Sequence, residues 1–184
     1  NLSKIGKVYF VKHRKIEGNF KTVMIKKMPT GKWFLFVVTD YDKKLDVLDS
    51  TLATGIDVCI ENFATFSDGS LIENPRFFET DQKELHKRQR KNKKIKLLKT
   101  HVKKLSKKRI KHSIARIYER ISNRRTDFGH KNALNIVRKY KNICVEEIKI
   151  NKLIQKSWCS KQISDAEWGQ FFNILICKAE YAGR

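Results

Sequence analysis

Two carboxylates set in otherwise apolar, β-branched stretches are the residues of this sequence best placed to do chemistry. The first is Asp57, inside Thr54-Gly55-Ile56-Asp57-Val58-Cys59-Ile60-Glu61-Asn62-Phe63-Ala64-Thr65, which reads as one strand; the second is Glu146, inside Asn142-Ile143-Cys144-Val145-Glu146-Glu147-Ile148. Side chains alternate faces along a strand, so Ile56, Val58 and Ile60 point one way while Asp57, Cys59 and Glu61 point the other. In the later stretch Ile143 and Val145 share one face and Cys144 and Glu146 share the opposite one. A strand, a helical excursion and a second strand make a crossover, which sets the two strands parallel in one sheet. Asp57 and Glu146 can then stand side by side. Two carboxylates at short range repel unless one is protonated or a cation lies between them. Hard oxygen donors beside phosphates suit Mg²⁺ or Mn²⁺. The competing structural reading of each acid is a solvated residue at a strand end.

The elements that must position this pair follow from the pattern around it. Residues 1–50 read as a small antiparallel sheet: Lys7 to His13, Phe20 to Lys27 and Lys32 to Asp40 are rich in Val, Ile, Phe and Trp, with a Pro29-Thr30-Gly31 turn between the last two. The polar run from Asp42 to Ser50 is a plausible domain boundary. Beyond Asp57, Phe63 to Ser67 continues the β pattern, Ser67-Asp68-Gly69-Ser70 is a hairpin turn, Leu71 to Glu73 runs back, and Pro75 ends the segment. From about Thr80 the period becomes helical, with Asp81 as a first-turn cap. Leu85, Ile95, Leu98, Val102, Leu105, Ile110, Ile114, Ile117 and Ile121 draw the apolar stripe of a long helical hairpin that breaks near Asn92. Residues 149–163 read as a loop with a short helical turn. Ser164-Asp165-Ala166-Glu167 then has the form of a capping box for a helix whose apolar face is Trp168, Phe171, Phe172, Leu175, Ile176 and Ala179 and which Gly183 terminates.

Charge supplies the second large signal. The 184 residues carry a formal net charge of +22 with 40% hydrophobic residues, so the chain can build a core while holding an excess that a polyanionic partner explains best. Between Gln82 and Arg125 stand 19 lysines and arginines against only two acids, Glu84 and Glu119. Solvated helix faces ordinarily mix signs, as i,i+4 pairing favours. This bias marks Lys83, Lys87, Arg88, Arg90, Lys91, Lys93, Lys94, Lys103, Lys107, Arg124 and Arg125 as nucleic-acid-binding residues. Lysines on the N-terminal strands read equally well as phosphate contacts or as ordinary outward-facing charge. No stretch is long or apolar enough to span a bilayer, which sets a membrane aside as the polyanion. With no signal sequence at its start, the chain reads as cytoplasmic and nucleoid-associated. Four cysteines without any C-x-x-C pair encode neither a zinc ribbon nor a disulfide framework.

Taken together these stretches resemble the transposon-encoded OrfB/TnpB family, RNA-guided nucleases related to type V CRISPR effectors. The resemblance rests on Ile5-Gly6-Lys7-Val8, Gly55-Ile56-Asp57, Asn62-Phe63-Ala64-Thr65, Ser67-Asp68-Gly69 and Ile72-Glu73-Asn74-Pro75. It continues through Arg124-Arg125-Thr126-Asp127-Phe128-Gly129-His130-Lys131, Val145-Glu146-Glu147, Ile163-Ser164-Asp165-Ala166-Glu167-Trp168-Gly169 and Lys178-Ala179-Glu180. The order and spacing of the strings carry the match.

What the resemblance implies is an α/β fold. Residues 51–184 would form a RuvC-type, RNase H-like mixed sheet with the basic helical hairpin inserted, and residues 1–50 part of a β-rich, OB-like wedge domain. Asp57 would be the first catalytic carboxylate and Glu146 the second, holding Mg²⁺ or Mn²⁺ in a two-metal site for phosphodiester hydrolysis. Guide RNA and target DNA would be the partners, with sequence read by base pairing and the protein gripping backbone and shape. The family pattern also includes a four-cysteine zinc ribbon and a third catalytic aspartate, neither of which occurs here; Cys59 replaces a common glycine. The chain therefore reads as a central fragment with little or no cleavage of its own. Two other functions fit the same scaffold: a nuclease-dead RNA- and DNA-binding protein, and a conventional transposase that joins strands itself.

Overall fold

A computed structural model describes residues 6–41, 45, 47, 50–97, 103–156 and 158–184. The chain divides into two compact units, Asn1–Lys43 and Lys44–Arg184.

The first unit contains one hairpin. β1 (Asn19–Lys27) pairs antiparallel with β2 (Trp33–Asp40), from Asn19 opposite Asp40 to Lys27 opposite Trp33. Its turn uses the glycine foreseen there: Gly31, at φ +80°, donates to Met28 O, and Met28 N donates back to Lys32 O, both at 2.8 Å. Gly18 closes the open end, where a Cβ would lie 2.4 Å from the Asp40 carbonyl oxygen. The strand expected over Lys7 to His13 does not form; those residues are exposed and carry no ladder. A β-rich composition there finds no partner edge among the described residues.

The second unit is a mixed sheet covered by helices. The sheet order is β5 (Leu71–Glu73), β4 (Asn62–Phe66), β3 (Ala53–Asp57), β6 (Asn142–Val145), with β3 and β6 parallel and the other pairs antiparallel. Residues 54–65 are thus a hairpin of two strands rather than one. Val58 to Glu61 reverse the chain without Gly or Pro, so composition alone hid the turn; Asn74 Nδ2 fixes it by donating to Ile60 O at 2.8 Å. Leu71–Glu73 runs back as expected.

The crossover from β3 to β6 passes through α1 (Phe77–Leu97) and α2 (Lys103–Lys139). Three expectations need correction here. α1 begins at Phe77, before Thr80, and its early backbone is capped from a distance: Phe78 N donates to both carboxylate oxygens of Asp165, at 3.0 and 3.1 Å. Asp81 is no cap; it is buried one turn inside the helix. Asn92 sits within α1, so the helix does not break there, and Leu98 and Val102 of the expected stripe fall outside the described residues. The foreseen stripe does pack the hairpin, with Leu85, Ile117 and Ile121 in one cluster and Phe77, Phe78 and Ile114 around it.

The main core lies between the sheet and the helices. Ile56, Phe63 and Phe66 pack against Ala133, Ile136 and Val137 of α2, against Tyr140 just after it, and against Trp168, Phe171 and Leu175 of α5 (Trp168–Tyr181). The Phe63 ring meets Phe128 and Phe171 edge-on, with centroids 4.9 and 5.0 Å away, the geometry favoured by ring quadrupoles. Trp168 is a core residue whose indole N–H donates to Phe63 O at 3.2 Å. Its neighbour on the expected face, Ile176, is instead half exposed.

Residues 149–163 hold more helix than foreseen, in α3 (Ile150–Lys156) and the start of α4 (Ser160–Ala166). The Ser164–Glu167 capping box does not form. Ser164 Oγ donates back to Ser160 O, and Glu167 caps α5 with a left-handed backbone (φ 49°, ψ 40°) and no side-chain cap bond. Both acids of the motif are engaged elsewhere by Arg125. Gly183, at φ +64°, follows the end of α5 as expected.

Candidate functional site

Asp57 ends β3, and its position follows from alternation along that strand. Thr54 and Ile56 are buried against the helices, whereas Ala53 and Asp57 point to the opposite, exposed face. β6 lies parallel at the edge, with Thr54 opposite Ile143, Gly55 opposite Cys144 and Ile56 opposite Val145. Asp57 and Glu146 are the next residue on each chain, and the same register carried one residue further would set them side by side, about 5 Å apart along the backbones. Both acids are exposed. Glu61 and Glu147 are exposed as well, as are the thiols of Cys59 and Cys144.

The donor chemistry here is two hard carboxylates on adjacent strand ends with no cation salt-bridged to either among the described residues. That set fits a divalent cation with water or phosphate oxygens completing its shell. Among the described residues no group of three His, Cys, Asp or Glu side chains converges as a metal cage.

The start of β6 is held by contacts that sequence reasoning missed. Lys141 N donates to Leu52 O at 2.7 Å, and Ser50 Oγ donates to Lys139 O at 2.7 Å. Lys139 Nζ (2.8 Å) and the Tyr140 hydroxyl (2.5 Å) both donate to Asp68 Oδ2, while Ser70 N and Oγ donate to Asp68 Oδ1. Lys139 first, then Ser70 and Tyr140, hold the Asp68 carboxyl far below the usual carboxylate range. The same contact raises Lys139 above an ordinary lysine. Asp68 was legible as a turn residue, but nothing local announces partners 71 and 72 positions away.

The hairpin divides its charge unequally. Near the sheet, Arg120 binds Asp81 (2.7 Å) and Glu84 (3.0 Å), Arg124 binds Asp81 (3.3 Å), and Arg88 binds Glu84 (3.5 Å). Arg125 is the clearest departure from expectation: it is largely buried, with one nitrogen on Asp165 at 2.5 Å and another on Glu167 at 2.7 Å. It is a structural cation, and Arg88 and Arg124 are partly committed in the same way. Farther along, Lys83, Lys87, Arg90, Lys91, Lys93 and Lys94 are exposed on α1, and Lys107 is partly exposed on α2. None of these seven has an ion-pair or hydrogen-bond partner among the described residues. Lys103 lies in α2, but its side chain falls outside the described set.

Comparison with known proteins gives a consistent result. The family OrfB_IS605, described as "Probable transposase", matches residues 36–157. A protein of Streptomyces pristinaespiralis named "Putative RNA-guided DNA endonuclease" is 30% identical over 164 residues, which cover 89% of this chain and 39% of that protein. "Putative RNA-guided DNA endonuclease InsQ" of Escherichia coli K12 is 28% identical over 198 residues, covering 99% of this chain and 48% of the relative. The chain thus spans less than half the length of either of these curated relatives. No helix among the described residues is long and apolar enough to cross a membrane.

Proposed function

The chain belongs to the OrfB_IS605 family of probable transposases, and from that premise we propose that it is the core of a mobile-element-encoded, RNA-guided DNA endonuclease. The observation that supports this reading is the parallel pairing of β3 with β6, whose last register pair, Ile56 opposite Val145, immediately precedes Asp57 and Glu146. The curated relatives' names point to the same class of activity.

In this reading Asp57 and Glu146 hold Mg²⁺ or Mn²⁺ at the strand ends. The bound ions would supply Lewis-acid polarisation of a phosphodiester and a water acidic enough to attack it. The carboxylates orient that centre, and the covered face of the sheet keeps their strands from moving apart. The unpaired lysines and arginines of α1 and α2 grip the phosphates of guide RNA and target DNA without reading bases, leaving sequence to Watson–Crick pairing. The sheet with its inserted hairpin is read as RuvC-like, the N-terminal hairpin as part of a wedge domain, and the setting as the cytoplasm at the nucleoid.

The test is target-DNA cleavage by the full-length protein with its guide RNA and Mg²⁺. Asp57→Ala and Glu146→Ala should each reduce cleavage to background while guide binding persists. Undiminished cleavage by Asp57→Ala would overturn the assignment. Guide-dependent binding without cleavage in the unmodified protein would favour a nuclease-dead binder, and strand-transfer products formed without RNA would favour a conventional transposase.

A further inference from the structure

β6 is a strand with little to hold its register. It has four residues, lies at the sheet edge, and among its side chains only Ile143 is partly buried, whereas Val145 is 40% exposed. Side-chain burial normally specifies register, because a slip of one residue moves every side chain to the opposite face. Here such a slip would carry Glu146 away from the face that bears Asp57. Something outside the strand must fix it.

The geometry points to Asp68 as a positioning residue that sets the register of β6 against β3 and so places Glu146 beside Asp57. Asp68 sits at the β4–β5 turn and holds Lys139 and Tyr140, three and two positions before β6 begins. Tyr140 is buried and stacks on Phe66 at 5.8 Å, while the Lys139 ammonium lies 4.7 Å from the Tyr140 ring centroid. Phe66 is itself the register partner of Ile56. A closed chain of contacts therefore runs from β3 through Phe66 to Tyr140 and Asp68, and back through Lys141 N to Leu52 O just before β3. Beyond Tyr140 the ties are backbone bonds, from Lys141 N and Asn142 N to Leu52 O and along the ladder to β3; such bonds do not distinguish one side chain from the next, so an error at the start of the path persists to the carboxylate.

This inference rests on reading Asp57 and Glu146 as a metal-holding pair, and the test separates the two. Register is read by dibromobimane crosslinking of Gly55→Cys to native Cys144, which face each other across the pair, in a Cys59→Ser background with mapping by mass spectrometry. Metal binding is read separately by Mn²⁺ titration of the chain. Asp68→Ala should lower crosslink yield at least fivefold and Mn²⁺ affinity at least tenfold, whereas Lys139→Arg, which keeps the cation, should retain both. Tyr140→Phe, which removes one donor and keeps the ring, should give a smaller loss of each, and it decides the matter if circular dichroism shows Asp68→Ala unfolded. Lost crosslinking with unchanged Mn²⁺ affinity supports Asp68 as the register anchor and overturns the metal reading. Full crosslinking and full affinity in a folded Asp68→Ala, or in Tyr140→Phe where Asp68→Ala is unfolded, overturn the proposal.

Discussion

Arg125 and Asp165, 40 residues apart in sequence, meet at 2.5 Å, and the second oxygen contact of the same guanidinium is Glu167. Asp165 in turn accepts Phe78 N at the start of α1, so one cation joins α2, the head of α1 and the junction of α4 with α5. Arg125→Ala leaves two acids in a largely buried site without their cation. We expect a loss of about 3 kcal/mol of stability, measured by urea unfolding, since breaking a buried pair from one side exceeds the worth of the pair itself. Arg125→Lys should recover only part, because an ammonium cannot present two fixed nitrogens to separate carboxylates.

The exposed cations behave oppositely. Lys87→Ala, Lys91→Ala and Lys94→Ala should each change stability by less than about 0.5 kcal/mol. Each should also weaken binding to duplex or guide RNA and lower the slope of log K against log salt by about 1. Fluorescence anisotropy titrations at several salt concentrations check this, and a salt-independent affinity would contradict the hairpin's role.

Asp68 has a worked pH sign. Its folded carboxyl is depressed, so its contribution is complete above the unfolded value, about 4, and is lost as pH falls toward the folded one. Lys139 is raised, so its share is complete below an ordinary lysine's value, about 10, and is lost as pH rises beyond it. The stability difference between wild type and Asp68→Asn should therefore be flat from about pH 5 to pH 9 and shrink below about pH 4. Thermal unfolding across that range measures it.

Trp168→Phe tests the core directly. It keeps an aromatic ring but leaves the buried Phe63 carbonyl without its indole donor, at a cost of about 1–3 kcal/mol by chemical denaturation.

Local pattern carried much of the site. Alternation placed Ile56 inward and Asp57 outward, and the strand–helix–strand order foretold the parallel partner for β3. The excess of 19 lysines and arginines over two acids between Gln82 and Arg125 located the basic hairpin, yet it could not separate the exposed lysines from Arg125, which folds inward. Arg125 and Lys91 look alike in sequence; their difference is made by Asp165 and Glu167, which arrive from a distant helix junction. The same junction explains why the capping box failed. A Ser-x-x-Glu spacing is a local signature, and a buried guanidinium competing for both acids outweighs one cap bond. Asp81 was misassigned for a parallel reason, since its partners lie a helix away.

α2 is one uninterrupted helix of 37 residues, about 55 Å from end to end. Its first half lies among the cations of the hairpin, and its last residue is Lys139, three positions before β6. A load applied at the outer end therefore reaches the sheet edge through a rod, with no intervening loop to absorb it. The distance from the basic outer half of α2 to the start of β6 is a fixed length of the molecule, so insertions within α2 would lengthen that arm by about 1.5 Å per residue and rotate its outer half by about 100° each.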